Sequence, residues 1–202
     1  MSDTKKMGRP RKFDYDEALL SAMSVFWAKG YDGASLRDLT KAMGITGPSM
    51  YAAFGDKREL FLKTIDQYAD VDGCKPVVDF EAEEDIQKAV RGFLEEVIQY
   101  ATDSGYGAKG CFLASSVSTN IGQVDGVDER VRKAIDDTDQ RLAQRFEREK
   151  QKGTLPPDFP SLQRAALLYD IRQGYMFRGR AGWTAEELKR DLDHRIQMIL
   201  SF

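Results

Sequence analysis

With 202 residues, 42% hydrophobic and 31% charged, the chain can bury the core of one or two domains. Its 30 Lys and Arg against 33 Asp and Glu give a formal net charge of -3, which by itself points to no acidic partner. No run approaches the roughly 18 apolar residues of a membrane span, and "MSDTKKMGRPRKF" has no apolar signal core, so a cytosolic protein with Cys74 and Cys111 as reduced thiols is expected.

The charge is unevenly spread. Up to Gln67 there are eleven basic and nine acidic residues, and the remainder holds 19 and 24, an asymmetry that hints at different partners for the two segments. At the front, "KKMGRPRK" packs Lys5, Lys6, Arg9, Arg11 and Lys12 around a Gly-Arg-Pro that cannot be helical. Such a stretch is either a solvated tail or, beside a DNA-binding element, an arm that lays arginine along the minor groove.

From Asp14 to Lys29, Ala18, Ala22 and Phe26 form one helical stripe flanked by Leu19 and Val25, and Gly30 stands where a helix C-terminus wants a left-handed residue. Ser35 opens "SLRDLTKAM" with Asp38 at the N3 position of a capping box, and Gly44 breaks that helix. Thr46 can cap the next one, with Gly47 and Pro48 in its first turn, where proline costs no hydrogen bond. Asp56 and Glu59 repeat the capping pattern before "DKRELFLKTIDQY".

Helix, short Gly-containing turn, helix, with a helix on each side, is the order of a helix-turn-helix. Met50 and Phe54 lie four apart and can serve the core, which leaves Gly47, Pro48, Ser49 and Tyr51 facing outward. The same periodicity would also describe a small helical hairpin with an exposed tyrosine.

The linked motifs "F-x-x-K-G-Y", "S-L-x-D-L", "M-Y-x-x-F" and "G-D-K-x-x-L-F", spread over about a third of the chain, resemble the DNA-binding domain of the tetracycline-repressor-like (TetR) family of transcriptional regulators. The resemblance implies an all-α protein, with a basic arm over 1–13, a helix-turn-helix domain over 14–56, a connecting helix over 57–70 and an effector-binding and dimerisation domain over 71–202. It implies groove and phosphate contacts by Thr46, Pro48, Ser49 and Tyr51, a phosphate contact by Lys57, and positions near the DNA backbone for Ser35 and Arg37. Gly47 departs from the family, where a long basic side chain is common, so base readout must rest on fewer groups.

Farther on, residues 80–105 and 128–153 read as amphipathic helices, "TLPPDFP" as a break, and residues 161–182 and 184–200 as two more helices. The first of that last pair is apolar on two sides: Leu162, Ala166, Tyr169 and Phe177 on one, Leu168, Ile171 and Tyr175 on the other. A helix of that kind needs two partners, the second of which can be another subunit. With the stripe Leu188, Leu192, Ile196 and Ile199, the expected interface is a homodimer, as the resemblance of "RQGYMFRGRAGWTAEEL" to family C-termini also implies; a monomeric bundle is the alternative.

Candidate lining for a small-molecule pocket is Phe93, Tyr100, Cys111, Phe112, Tyr169, Gln173 and Phe177, a set that names no ligand class. Cys111 follows Gly110 at an apparent helix start, where a thiol can be activated, or it is a small buried residue. "GYGAKG", residues 105–110, matches dinucleotide-site spacing but follows a helical run rather than a strand, so it reads as a loop. The lone His194, beside Asp193 and Arg195, cannot build a metal cluster or most triads and reads as a solvated or interface residue. The expected function is thus a dimeric, effector-responsive repressor of double-stranded DNA, without catalysis, metal or cofactor. An enzyme using the glycine loop, or a DNA-binding protein with no sensing role, would be the competing assignments.

Overall fold

A computed structural model of the protein describes residues 13–72, 75–103 and 110–201. The basic arm with Arg9 and Arg11, Cys74 and most of the glycine loop lie outside the described residues. Ten α-helices carry the fold, with no strand among the described residues: α1 (Tyr15–Gly33), α2 (Leu36–Ala42), α3 (Gly47–Phe54), α4 (Lys57–Gln67), α5 (Lys75–Ala82), α6 (Ile86–Thr102), α7 (Val127–Lys152), α8 (Ser161–Arg180), α9 (Ala185–Lys189) and α10 (Leu192–Leu200). Short π-helical turns follow α4 at Tyr68–Asp72 and occupy Leu113–Val117.

The N-terminal helices start where side chains can satisfy their free N–H groups. Asp14 accepts from the amides of Asp16 and Glu17, and Thr46 from that of Ser49. Ser35 with Asp38, and Asp56 with Glu59, form complete capping boxes. Gly30 (φ +73°, ψ 173°) is non-helical, as its place after the apolar stripe predicts: α1 is two helical segments that meet in a kink there, the second ending at Gly33. Leu19, Ala22 and Phe26 of α1, Leu39 of α2, Met50 and Phe54 of α3, and Leu60, Phe61 and Ile65 of α4 close one core.

The remaining helices depart from the sequence expectation in three places. Residues 80–105 are not one helix: α5 ends at Ala82, and Asp85 caps a new helix by accepting from the amide of Lys88. Residues 184–200 break into α9 and α10 around Arg190 and Asp191, each helix keeping its own buried residues, Leu188 on one and Leu192, Ile196 and Ile199 on the other. The charge-rich α7, read from sequence as an amphipathic helix, also buries two of its charges, Arg145 and Glu149, as an ion pair. Arg145 also donates to the carbonyls of Glu83 and Glu84, at 2.7 and 3.1 Å, and so closes the free C-terminal carbonyls between α5 and α6.

Helix α8 is the central strut, packed between α6 and α7. Its buried residues are Ser161, Ala165, Leu168, Tyr169, Ile171, Arg172, Tyr175, Met176 and Gly179. Leu168, Ile171, Tyr175, Leu188, Leu192, Ile196 and Ile199, expected at a subunit interface, all lie in the protomer's own core. The apolar residues that α8 and α10 leave exposed are Leu162 and Phe177 on one and Met198 on the other.

Candidate DNA-binding face and ligand cavity

The outer surface of α3 is what its capping predicts. Met50 and Phe54 point inward, while Thr46, Pro48 and Tyr51 are exposed and Gly47 and Ser49 half-buried. Tyr51 is 51% exposed although Met50 and Phe54 of the same helix are fully buried, so no packing requirement accounts for it. The Thr46 and Ser49 hydroxyls are 2.9 Å apart and hold each other at the N-terminus of α3. That end carries the positive pole of the helix dipole, the part of a recognition helix that meets phosphates and base edges.

Gly55, between α3 and α4, fixes the angle of the recognition helix. Its φ is +83°, and a Cβ there would strike the Glu59 carboxylate that closes the α4 capping box. Lys63 donates to the carbonyl of Phe54 at 3.0 Å and satisfies the C-terminal end of α3. Lys57 stands half-buried in the first turn of α4, against the helix dipole; its Nζ lies 4.6 Å from the Tyr31 ring centroid, so it has an internal partner as well as an outward path. Arg37 is exposed, whereas the Ser35 hydroxyl already donates to Asp38 at 2.7 Å. Asp38 in turn pairs with Lys29 at 2.9 Å, and these bonds, that of Ser35 first, hold its carboxyl down at about 2.

Behind this face lies a cavity of about 320 Å³, lined by Met23, Ser24 and Trp27 of α1, Tyr68 after α4, Lys75 and Pro76 of α5, Tyr100 of α6, Gly110, and Arg172 and Met176 of α8. Its volume is at the lower end for small-molecule sites. Trp27 packs on Tyr68 and Phe112 with centroids 5.6 and 5.5 Å apart, and Phe112 also meets Phe61 of α4. The Ser116 hydroxyl donates to the carbonyl of Trp27 at 3.0 Å, and Arg130 pairs with Asp66 at 3.0 Å. Helices α1 and α4 are thereby clamped to the Leu113–Val117 turn and to α7.

Of the residues expected at an effector pocket, Tyr100 lines this cavity, and Cys111 and Phe112 lie directly behind its wall through Tyr68. Cys111 is buried and accepts the Tyr68 hydroxyl proton on its sulfur at 3.6 Å. Tyr169 is buried beside Arg172, its phenol pushed up to about 12 chiefly by burial, and Gln173 is half-buried. Phe93 sits instead in a core cluster against Phe80. Phe177 is 75% exposed, on the outer arc of α8, and is not part of this cavity's lining. Trp27, Met23, Arg172 and Met176 carried no local signal in the sequence, since a cavity wall assembled from four helices has no period of its own. His194 is exposed, and among the described residues no His, Cys, Asp and Glu cluster could hold a metal ion. Among those residues, no helix is long and apolar enough to cross a membrane.

Comparison with known proteins agrees with this geometry. The family model "Bacterial regulatory proteins, tetR family" matches residues 18–64, the span from α1 into α4. The HTH-type transcriptional repressor ComR of Escherichia coli K12 is 32% identical over 186 residues, 91% of this chain and 88% of that protein. The HTH-type transcriptional repressor BdcR of the same organism is 27% identical over 169 residues, 83% of this chain and 84% of its own. Among solved structures, a cysteine mutant of the TetR family transcriptional regulator CifR, complexed with 26bp double-strand operator DNA, superposes with a TM-score of 0.83. It is 28% identical, with 94% of this chain and 98% of that chain covered. The chain belongs to the tetR family of bacterial regulatory proteins: it is a DNA-binding transcriptional regulator, not an enzyme.

Proposed function

We propose that the protein is a repressor that binds a palindromic operator as a homodimer and leaves it when a small molecule enters the cavity between α1, α5, α6 and α8. In this reading residues 1–13 are a basic arm whose Arg9 and Arg11 track the minor groove, and residues 14–56 are the DNA-binding domain. Residues 57–70 connect it to an effector and dimerisation domain over 71–202. Thr46, Gly47, Pro48, Ser49 and Tyr51 meet the major groove and its phosphates, with Lys57, Ser35 and Arg37 on the flanking backbone. The two copies pair through the outer arc of α8 and the exposed side of α10. A cytoplasmic location follows from the DNA partner.

The observation that carries this reading is that Trp27 and Tyr68 belong at once to the cavity wall and to the helices that hold α3 in place. A ligand that pushes on them shifts α1 and α4, and therefore the spacing of two recognition helices in a dimer. To switch binding, it must favour the DNA-free conformation by on the order of 1–3 kcal/mol. The test is fluorescence anisotropy with the palindrome found upstream of the protein's own or the adjacent reading frame. Tight, sequence-selective binding by a sedimenting dimer is expected. Binding that ignores sequence and falls steeply with salt would mark a non-regulatory DNA-binding protein instead.

A further inference from the structure

One side of the cavity carries a buried positive charge. Arg172 is 4% exposed, and among the described residues no carboxylate pairs with it. Its guanidinium carbon lies 5.5 Å from the Tyr169 ring centroid, and its buried Nε–H has no hydrogen-bond partner. A second buried donor on the same wall, the indole N–H of Trp27, is also without a partner. Burying an unpaired cation and unanswered donors is among the most costly things a fold can do, and such groups are retained where something answers them.

Among the described residues, Tyr68 hydrogen-bonds the guanidinium, but no carboxylate neutralises it, and the Arg172 Nε–H and the Trp27 N–H stay open. Lys75, at the same cavity, is engaged with Asp79 and Glu96, so those carboxylates are answered there. Asp139 of α7 raises the phenol of Tyr169 but makes no ion pair with Arg172. Both unanswered groups are donors, so the missing partner is an acceptor. The remaining wall is largely apolar, with Met23, Pro76 and Met176, which suits an organic body better than inorganic phosphate.

We propose that the cavity binds an organic anion, a small carboxylate whose oxygens accept from the Arg172 guanidinium and the Trp27 N–H while its apolar body lies against Met23, Pro76 and Met176. The assignment rests on reading this cavity as the effector site. A charge-assisted, forked contact from arginine suits a planar carboxylate, and the same buried charge rejects amines.

The experiment uses the full chain carrying Trp183→Phe, so that tryptophan fluorescence reports Trp27 alone. Octanoate, benzoate and cyclohexanecarboxylate are titrated against their neutral primary amides. At least one carboxylate should change the Trp27 signal and raise Tm, binding roughly tenfold or more tighter than its amide, the scale of a charged hydrogen-bonded contact. Arg172→Met should abolish that preference and, ligand-free, melt no lower than its parent; Arg172→Lys should retain part of it. Carboxylates that bind no tighter than amides, or that bind Arg172→Met as they bind the parent, overturn the anion assignment and leave the effector cavity standing. Carboxylate binding without release of the operator duplex upholds the anion site and removes its effector role. If no probe binds, both fall. A thiolate absorbance from Cys111 that disappears in Arg172→Met would identify an internal counter-ion and overturn the proposal.

Discussion

A Cβ added to Gly179 would lie 2.2 Å from the carbonyl oxygen of Ala101, so α8 meets the end of α6 backbone to backbone. Alanine ordinarily gains up to about 1 kcal/mol over glycine inside a helix. Here the obstacle is rigid backbone rather than the tip of a side chain, and overpacking of that kind costs about 1–3 kcal/mol or more. Gly179→Ala is therefore expected to lower Tm by a few to about ten degrees in a chain of this size. A variant that melts at or above wild type would mean that α8 can slide along α6 without cost.

The capping box at α2 makes a pH prediction. The Asp38 carboxyl is held at about 2 by the Ser35 hydrogen bonds and by Lys29, below its ordinary 3.8. A carboxylate depressed in the folded state contributes stability above its unfolded value, and loses it as pH falls through the folded one. The Tm difference between wild type and Asp38→Asn should thus be constant above about pH 4 and shrink between pH 4 and 2. The residue is only half-buried, so the difference should be small and should also shrink in high salt. A difference that persists unchanged at pH 2 would show that the amide is disfavoured for reasons other than charge.

The parts legible in the sequence are those settled within one helical turn. Ser35 with Asp38, Thr46 before Pro48, and Asp56 with Glu59 each join a cap to an amide three residues on, so their spacing alone announces α2, α3 and α4. The inward pair Met50 and Phe54 followed from the same period. What stayed hidden depends on which helices become neighbours. In α8, apolar residues occur all round, and only α6 and α7 decide that Leu168 and Tyr175 go in while Leu162 and Phe177 stay out. Arg145 and Glu149 have the same i,i+4 spacing as the exposed Lys133 and Asp137, and only their position against the turn between α5 and α6 buries them. The Asp85 cap was readable but merged into an acidic run that also suits a helix surface.

The recognition face separates positioning from readout. Tyr51 packs on no core neighbour that would explain it, so Tyr51→Ala should fold like wild type and weaken binding to operator and scrambled duplexes about equally. Lys57→Ala should do the same and flatten the salt dependence by about one counter-ion. It should also cost about 0.5–1 kcal/mol of stability, and so lower Tm slightly, since its cation lies over the Tyr31 ring. Ser49→Ala should cost mainly the preferred site, by on the order of 1–3 kcal/mol or less. Deletion of residues 1–11 should weaken binding and reduce the salt slope. Binding titrations at several salt concentrations, with melts alongside, distinguish these outcomes; wild-type affinity for both DNAs in Tyr51→Ala and Lys57→Ala would remove α3 from the interface.

Assembly divides the C-terminal residues into two groups with opposite expected behaviour. Phe177 is 75% exposed, Leu162 51% and Met198 43%, on the outer sides of α8 and α10, so a charge placed there costs the isolated protomer little. At a dimer interface, the same charge would be buried without a partner in both copies. Phe177→Glu, alone or with Met198→Glu, should therefore sediment as a folded, helical monomer whose operator affinity collapses, because one recognition helix alone cannot span two half-sites. Leu192→Glu and Ile196→Glu should behave differently. Both positions are within the protomer's core, and an unpaired carboxylate there should unfold the chain or cost more than about 3 kcal/mol. Sedimentation velocity with circular dichroism reads both groups. Should Phe177→Glu with Met198→Glu remain a dimer that binds operator like wild type, the outer arc of α8 and α10 is not where two copies meet.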